Sequence, residues 1–283
     1  MSLMSTRIES LPEECLSHII SLTCPQDACR SSLVSCIFRD AADSDSVWDK
    51  FLPLDYPDII SNSVSPFFFS SKKDLYAKLS STPLLIDGGR KVYYKYFNVK
   101  KIQTFLLDKY TNKRCYMLSA RELSITWSTN SLYWCWKHLL HSRFPEAVEL
   151  VMVSWLEIQG KINTRMLSPN TTYGAYLVVQ IVKRAFGLDD TPLEVSIEVG
   201  DYKMRGNICM NLNECQRQGG YEAFCVVGQR GPCPRGDGWL DIELGEFYND
   251  EGDREVKMEF KEIKGDRLKG GLLVEGIELR PKP

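Results

Sequence analysis

The chain has 283 residues, of which 25% are charged and 43% hydrophobic, and its formal net charge is −2. This length allows about two domains, and the balanced charge offers no broad basic surface, so we expect no nucleic-acid partner. The longest apolar runs are too short to cross a bilayer and no secretory signal is visible. We therefore expect no membrane partner and a cytoplasmic or nuclear location, or both.

Residues 11–53 have the pattern of three short helices. Pro12 falls in the first turn of the first helix, where its missing N–H costs nothing. Pro25 opens the second, whose apolar positions run to Phe38, and Trp48 belongs to the third. Three helices in about forty residues are too few to bury this apolar surface alone. The helices therefore either pack on the rest of the chain or bind another protein, and the pattern leaves both open.

The same segment resembles an F-box, from its Leu11-Pro12 start through Pro25-Gln26-Asp27-Ala28 to Trp48. F-boxes bind the Skp adaptor of a Skp–cullin–F-box ubiquitin ligase, so the resemblance implies the adaptor and the cullin ligase complex as partners. It assigns residues 1–55 to the F-box. By analogy, the adaptor contacts would come from Leu11, Pro12, Leu16, Ile19, Leu33, Val34 and Trp48.

Residues 56–114 are predicted to be a structured connector, because they are too apolar to stay disordered. A short helix is expected near residues 72–79. Beyond residue 115 the pattern changes to short strands separated by Gly, Asn and Asp. Val195, Ile197 and Val199 alternate with polar residues, as do residues 240–244 and 256–260. Repeated half-buried strands of this kind predict an antiparallel sandwich or barrel.

The stretch from Leu123 to Trp136 carries three of the six tryptophans, Trp127, Trp134 and Trp136. Trp127 shares strand parity with Leu123, which by itself favours burial. Indole rings serve either as core or as stacking surfaces, and for an arbitrary tryptophan cluster core is the more common role.

Carboxylates are numerous in the second half, but no catalytic motif accompanies them. Glu255 and Glu259 fall on the polar side of their strand, where solvation explains them. Glu262 instead shares parity with Phe260. Either the strand ends at Lys261, or Glu262 points inward and accepts hydrogen bonds. The ten cysteines and three histidines lack the spacing of a zinc site, so we predict no metal and no cofactor.

Residues 115–283 resemble the tobacco-agglutinin lectin domain, also called Nictaba-like or phloem-protein-2-like. The matching motifs are ARELSITW at 120–127, YWCW at 133–136, VSWLEIQGKI at 153–162, DGWLDIELGEF at 237–247 and GIELRP at 276–281. An F-box followed by this domain is a known combination in plants. The resemblance implies a multidomain α plus all-β protein, a three-helix F-box followed by an antiparallel, jelly-roll-like β-sandwich lectin.

The resemblance also implies a ligand, N-acetylglucosamine oligomers or N-glycan cores bound without metal. The family's sugar-contacting tryptophans fall on Trp127 and Trp134, and its acidic ones on Glu255 and Glu262. Trp136, Trp155 and Trp239 have no counterpart among them and are expected in the core.

These observations predict a non-catalytic substrate receptor of a Skp–cullin–F-box ligase, whose lectin domain selects glycoproteins. A second hypothesis keeps the F-box but lets the sandwich loops bind a protein degron, with sugar binding lost. A third, a glycosidase, requires a pair of catalytic carboxylates at a fixed separation.

Overall fold

The computed structural model describes residues 8, 11–88, 102–210 and 231–282, and the backbone alone of 92–94 and 97–99. The chain forms two compact units. The first extends to Ile86 and includes Leu106–Lys113, and the second consists of Asp87–Phe105 and the chain from Arg114 onward. The segment predicted as a connector is thus divided between the two units.

Helices make up most of the first unit. They are α1 (Glu13–Ser21), α2 (Pro25–Ser31), α3 (Cys36–Asp43), α4 (Asp45–Phe51), α5 (Tyr56–Ser61) and α6 (Lys72–Ser81). The segment predicted as one second helix is two, because a turn at residues 32–35 separates α2 from α3. Ser35 begins α3 by accepting a hydrogen bond from the Phe38 N–H, the usual role of a serine that precedes a helix.

Trp48 lies at the centre of the first unit. Its indole Nε1 donates to the Ala42 carbonyl at 2.8 Å, and its ring centroid lies 5.2 Å from that of Tyr76 on α6. Leu16, Leu75 and the Trp48 side chain are almost fully removed from solvent. Helix α6 therefore completes the core formed by α1 to α4, although the sequence pattern assigned it to the connector.

Strands dominate the rest of the chain, and all their described pairings are antiparallel. They are β1 (Leu84–Asp87), β2 (Val92–Tyr94), β3 (Phe97–Val99), β4 (Ile102–Leu107), β5 (Arg114–Ser119), β6 (Ser124–Ile125), β7 (Trp134–Lys137), β8 (Ala147–Leu150), β9 (Leu156–Asn163), β10 (Thr171–Phe186), β11 (Leu193–Val199), β12 (Tyr202–Ile208), β13 (Cys233–Pro234), β14 (Leu240–Asn249), β15 (Glu255–Glu262) and β16 (Gly270–Pro281).

Two sheets pack face to face in the second unit. The larger has the order β4-β5-β16-β10-β14-β13, with β8 also paired to β16, and the smaller has the order β12-β11-β15-β9-β6. Gly160 on β9 faces Ile277 on β16 so closely that a Cβ at residue 160 would stand 2.8 Å from the Ile277 Cδ1. The absence of a side chain at Gly160 therefore lets the sheets approach. The prediction of a helical domain followed by an antiparallel β domain is confirmed.

Strand β16 lies between β5 and β10, and Gly270 to Leu279 are all buried. Its Glu278 carboxylate accepts hydrogen bonds from Arg143 at 2.8 Å and from Arg235 at 2.5 Å. Burial alone would raise the pKa of Glu278, but these two guanidinium groups lower it to about 2. At Glu278, the side of β16 that faces away from the smaller sheet is therefore covered by ion pairs rather than by apolar packing.

Among the described residues, no helix combines the length and the apolar character needed to cross a bilayer.

Candidate functional site

Trp127 is displayed by a tight turn at the end of β6. The Ser128 N–H donates to the Ile125 carbonyl at 3.1 Å, and Trp127, the third residue of this turn, has a φ of 61°. That position usually holds Gly or Asn, and the left-handed conformation costs another residue about 1–2 kcal/mol. The indole is 47% exposed. Strand parity predicted burial, and that expectation is wrong because β6 ends at Ile125, before parity reaches Trp127.

Two further tryptophans hold this turn in place. The Trp134 Nε1 donates to the Thr126 carbonyl at 2.9 Å, and the Trp136 Nε1 donates to the Ser128 carbonyl at 3.1 Å. These carbonyls belong to the residues on either side of Trp127. The three indoles therefore have different roles: Trp127 faces solvent, while Trp134 and Trp136 fix the backbone that presents it.

Trp134 and Trp136 differ in their surroundings. Trp134 is buried, so a sugar could not stack on its ring without a rearrangement. Trp136 is half-buried, and the Arg121 guanidinium lies 3.4 Å from its ring centroid. Trp239 is buried, as predicted for a core residue. Trp134 was predicted to contact sugar. In the structure it is buried and instead supports the turn of Trp127 through its hydrogen bond to the Thr126 carbonyl.

Glu262 is the last residue of β15 and points inward, one of the two possibilities that its parity left open. Its Oε1 accepts hydrogen bonds from the backbone N–H of Lys264 at 3.0 Å and of Gly265 at 2.7 Å, and its Oε2 forms an ion pair with Lys269. Burial alone would raise the pKa of Glu262, but Lys269 and the two N–H groups hold it below its usual value. The space that Glu262 faces is therefore filled by Lys269.

Glu255 is the first residue of β15, at the opposite end from Glu262. Seven steps along a strand span roughly 23 Å, so the two carboxylates cannot contact one sugar ring. Glu255 is exposed and forms an ion pair with Lys161 at 3.0 Å. The four predicted sugar residues consequently do not converge on one point: the turn of Trp127 lies at the Glu262 end of β15, and Glu255 lies away from it.

Trp155 and Glu157 lie beside Trp127, and the sequence interpretation missed both. Trp155 was predicted to be in the core, which is wrong: the residue precedes β9 and its side chain is 42% exposed. Its Nε1 donates to the Glu157 Oε2 at 3.1 Å, and the Thr126 hydroxyl donates to the same oxygen at 3.2 Å. Alternation along β9 places Trp155, Glu157 and Gln159 on one face, a signal that was present in the sequence.

The predicted adaptor contacts fall into two groups. Leu16 and Trp48 lie in the core of the first unit, and Leu11 is partly exposed. Pro12 and Ile19 are exposed, and Leu33 and Val34, in the turn between α2 and α3, are 81% and 65% exposed. Leu16 and Trp48 can act only through the fold, while the exposed residues, and Leu11 in part, can contact a partner directly.

Other exposed apolar residues extend this surface beyond the prediction. Leu22 at the end of α1 and Ile37 in the first turn of α3 are both exposed. Large apolar side chains close together in the sequence of a small helical unit are typical of a protein-binding surface. No group of three or more His, Cys, Asp or Glu within the described residues is arranged to hold a metal ion.

Comparison with known proteins connects both units to families. A phloem protein 2 family model matches residues 113–281, and an F-box-like model matches residues 8–53. The Arabidopsis thaliana protein named F-box protein PP2-B15 is 45% identical over 292 aligned positions, which cover 96% of each chain. The Arabidopsis thaliana F-box protein VBF is 45% identical over 291 positions, covering 96% of this chain and 99% of that one.

Proposed function

Because the chain belongs to the phloem protein 2 family and carries an F-box-like domain, we propose that it is a substrate receptor of a Skp–cullin–F-box ubiquitin ligase. The second unit binds glycans that contain N-acetylglucosamine and thereby selects glycoproteins. The ubiquitin transfer itself is carried out by partner subunits, and this chain contributes proximity. The complex acts in the cytoplasm, the nucleus or both.

The adaptor half of the proposal is supported by Leu33 and Val34. Both side chains are large, apolar and more than half exposed, so contact with water is unfavourable in free energy in the unbound protein. Burying them against the apolar groove of a Skp-type adaptor recovers that free energy. Leu16 and Trp48 keep α1 to α4 in the arrangement that presents this turn.

Trp127 is the observation that carries the sugar half. The indole face matches the apolar C–H face of a pyranose ring, while nearby acceptors such as Glu157 suit hydroxyl and acetamide N–H groups. Keeping a tryptophan in a left-handed conformation is costly. Backbone outliers of this kind cluster at ligand-binding positions, which supports a binding role for this residue.

The two halves are tested separately on the full chain. Capture by an immobilised Skp-type adaptor tests the ligase half, with Leu33→Asp as the variant expected to abolish capture. Calorimetric titration with chitotriose tests the sugar half, with cellotriose as the control that has no acetamide group. Capture together with no binding of either sugar would favour the protein-degron hypothesis, and failure of capture by wild type would reject the ligase role.

A further inference from the structure

Trp127 and Trp155 are two similarly exposed indoles at one edge of the smaller sheet. Strand β6 is the edge strand and β9 is its neighbour, and Ile125 pairs with Ile158 in antiparallel register. Trp127 follows the end of β6 and Trp155 precedes the start of β9. Because the strands are antiparallel, the end of one lies beside the start of the other. Both tryptophans therefore belong to the same corner of the sandwich.

Glu157 joins the two tryptophans. Its Oε2 accepts from the Trp155 Nε1 at 3.1 Å and from the Thr126 hydroxyl at 3.2 Å, and Thr126 is the residue before Trp127. The backbone N–H of Thr126 also donates to the Glu157 carbonyl at 3.1 Å. The half-buried Glu157 carboxylate thus holds the indole of Trp155 and the hydroxyl of Thr126, while the Glu157 carbonyl holds the Thr126 backbone.

The contacts that the Glu157 carboxylate makes with described residues leave it capacity to accept further hydrogen bonds. The Glu157 Oε1 accepts from the Gln159 Nε2 at 3.2 Å, and a carboxylate oxygen has about two lone-pair sites. An acceptor with remaining capacity between two exposed indoles suits a ligand that is apolar on its faces and rich in donors at its edge. A chain of linked pyranose rings has this character, since each ring offers a C–H face and a rim of hydroxyl groups.

We propose that Trp127 and Trp155 are two stacking subsites for successive rings of an N-acetylglucosamine oligomer, and that Glu157 is the positioning residue that fixes both. This inference rests on the proposed function, which concerns the class of sugar, and adds the number of rings and the residues that hold them. Trp127 takes the first ring, because the tryptophans at 134 and 136 brace its turn. Trp155 takes the second ring.

The experiment compares ligands of increasing length on the full chain. N-acetylglucosamine, chitobiose and chitotriose compete against immobilised chitotriose, so that weak monosaccharide binding is measured on the same scale. In wild type the affinity increases from one ring to two. In Trp155→Ala the monosaccharide affinity stays unchanged and the chitobiose affinity falls by about fivefold or more, the loss expected for one aromatic stacking contact.

Tyr202→Ala is the matched control. Tyr202 is 48% exposed and begins β12, the opposite edge strand of the same sheet. Its replacement leaves the binding of all three ligands unchanged. Loss in Trp155→Ala by the same factor at every length, or no loss at all, would overturn the second subsite. Wild type that binds none of the three ligands would instead overturn the proposed sugar function, and this inference with it.

The positioning role of Glu157 has its own pair of variants. Glu157→Ala removes both acceptor oxygens and weakens chitobiose binding, while Glu157→Gln keeps one acceptor for Trp155 and Thr126 and restores most of the affinity. Trp155→Phe keeps a stacking face without the Nε1 donor and gives an intermediate loss. Equal binding by Glu157→Ala and wild type would contradict the positioning role, and thermal unfolding of each variant shows whether it is folded.

Discussion

Glu262 and Lys269 form an ion pair inside the second unit, with side chains that are only 4% and 1% exposed. The Lys269 ammonium also donates to the Ser154 carbonyl at 2.6 Å and to the Arg267 carbonyl at 3.0 Å. The pair therefore ties the segment after β15 to the segment that carries Trp155. A family position that the resemblance assigns to sugar contact is, in this fold, a fixed part of the interior behind the site.

Removing one partner of this pair leaves an unpaired charge in the interior. We expect Glu262→Gln and Lys269→Met each to lower the free energy of unfolding of the second unit by about 3–5 kcal/mol. The double variant should lose less than either single variant, because it leaves no uncompensated charge. Urea unfolding followed by tryptophan fluorescence measures this. If both single variants unfolded with the same free energy as wild type, the structural role of the pair would be contradicted.

A second prediction follows from the left-handed backbone conformation at Trp127. Trp127→Ala keeps the cost of this conformation, while Trp127→Gly removes it. Both variants should lose chitotriose binding, and the glycine variant should be more stable than the alanine variant by about 1 kcal/mol. Denaturant unfolding and calorimetric titration of the two proteins check the two parts. A glycine variant that is less stable than the alanine variant would show that Trp127 is not strained.

Trp134 should behave differently from Trp127. Trp134→Phe keeps a buried aromatic ring but removes the hydrogen bond to the Thr126 carbonyl at 2.9 Å, so the turn that presents Trp127 loses one support. We expect a decrease in stability of about 1 kcal/mol, the loss of one part-buried hydrogen bond, together with weaker chitotriose binding. Unchanged stability with full loss of binding would instead indicate direct sugar contact by Trp134.

In the first unit, we expect different residues to determine stability and adaptor binding. Trp48→Ala empties the centre of the helical core and should cost about 3–5 kcal/mol of unfolding free energy. Leu33→Asp alters an exposed turn residue and should leave stability within about 0.5 kcal/mol while abolishing adaptor capture. Thermal unfolding and capture assays on the same proteins distinguish the two effects. Normal capture by Leu33→Asp would place the adaptor surface elsewhere.

Acid should destabilise the larger sheet through Glu278. Its pKa in the folded state is about 2, below the ordinary 4.5, so its contribution is present above pH 4.5 and is lost as the pH falls toward 2. Burial raises the pKa of Glu275 on the same strand, so that carboxyl acts in the opposite direction and favours the fold at low pH.

The slope of the unfolding free energy against pH, measured between about pH 2 and pH 4.5, reports the contribution of Glu278. Glu278→Gln should reduce the slope, while Glu275→Gln should not. An unchanged slope in Glu278→Gln would contradict the ion pairs that Arg143 and Arg235 form with this residue.

Local pattern was sufficient to predict the fold class. Alternation at Val256, Met258 and Phe260 identified β15 correctly. For Glu262 it left two possibilities open, and the structure shows the inward one. The partner Lys269 could not be predicted, since it lies in another segment that only the folded chain brings opposite. The break between α2 and α3 was missed because apolar positions continue through the turn at residues 32–35.

The tryptophans show the limit of the same reasoning. Parity failed at Trp127 because a turn with positive φ follows Ile125, and Trp is an unusual residue there. Trp155 was assigned to the core because it has no counterpart among the family's sugar-contacting tryptophans, although it shares parity with the polar residue Glu157. Resemblance assigned sugar contact to Trp127, Trp134 and Glu262 alike. The structure exposes Trp127 and buries the other two, and this difference in burial could not be predicted from the sequence.

Strand β16 follows every strand it pairs with: β5, β8 and β10 all precede it along the chain. A ribosome therefore completes the helices, whose contacts are local and form fast, well before the strand at the middle of the larger sheet is available. Until β16 emerges, β10 keeps one unpaired edge, which is a site for mispairing and aggregation. We therefore expect the sandwich, rather than the helical unit, to depend on shielding by chaperones during synthesis.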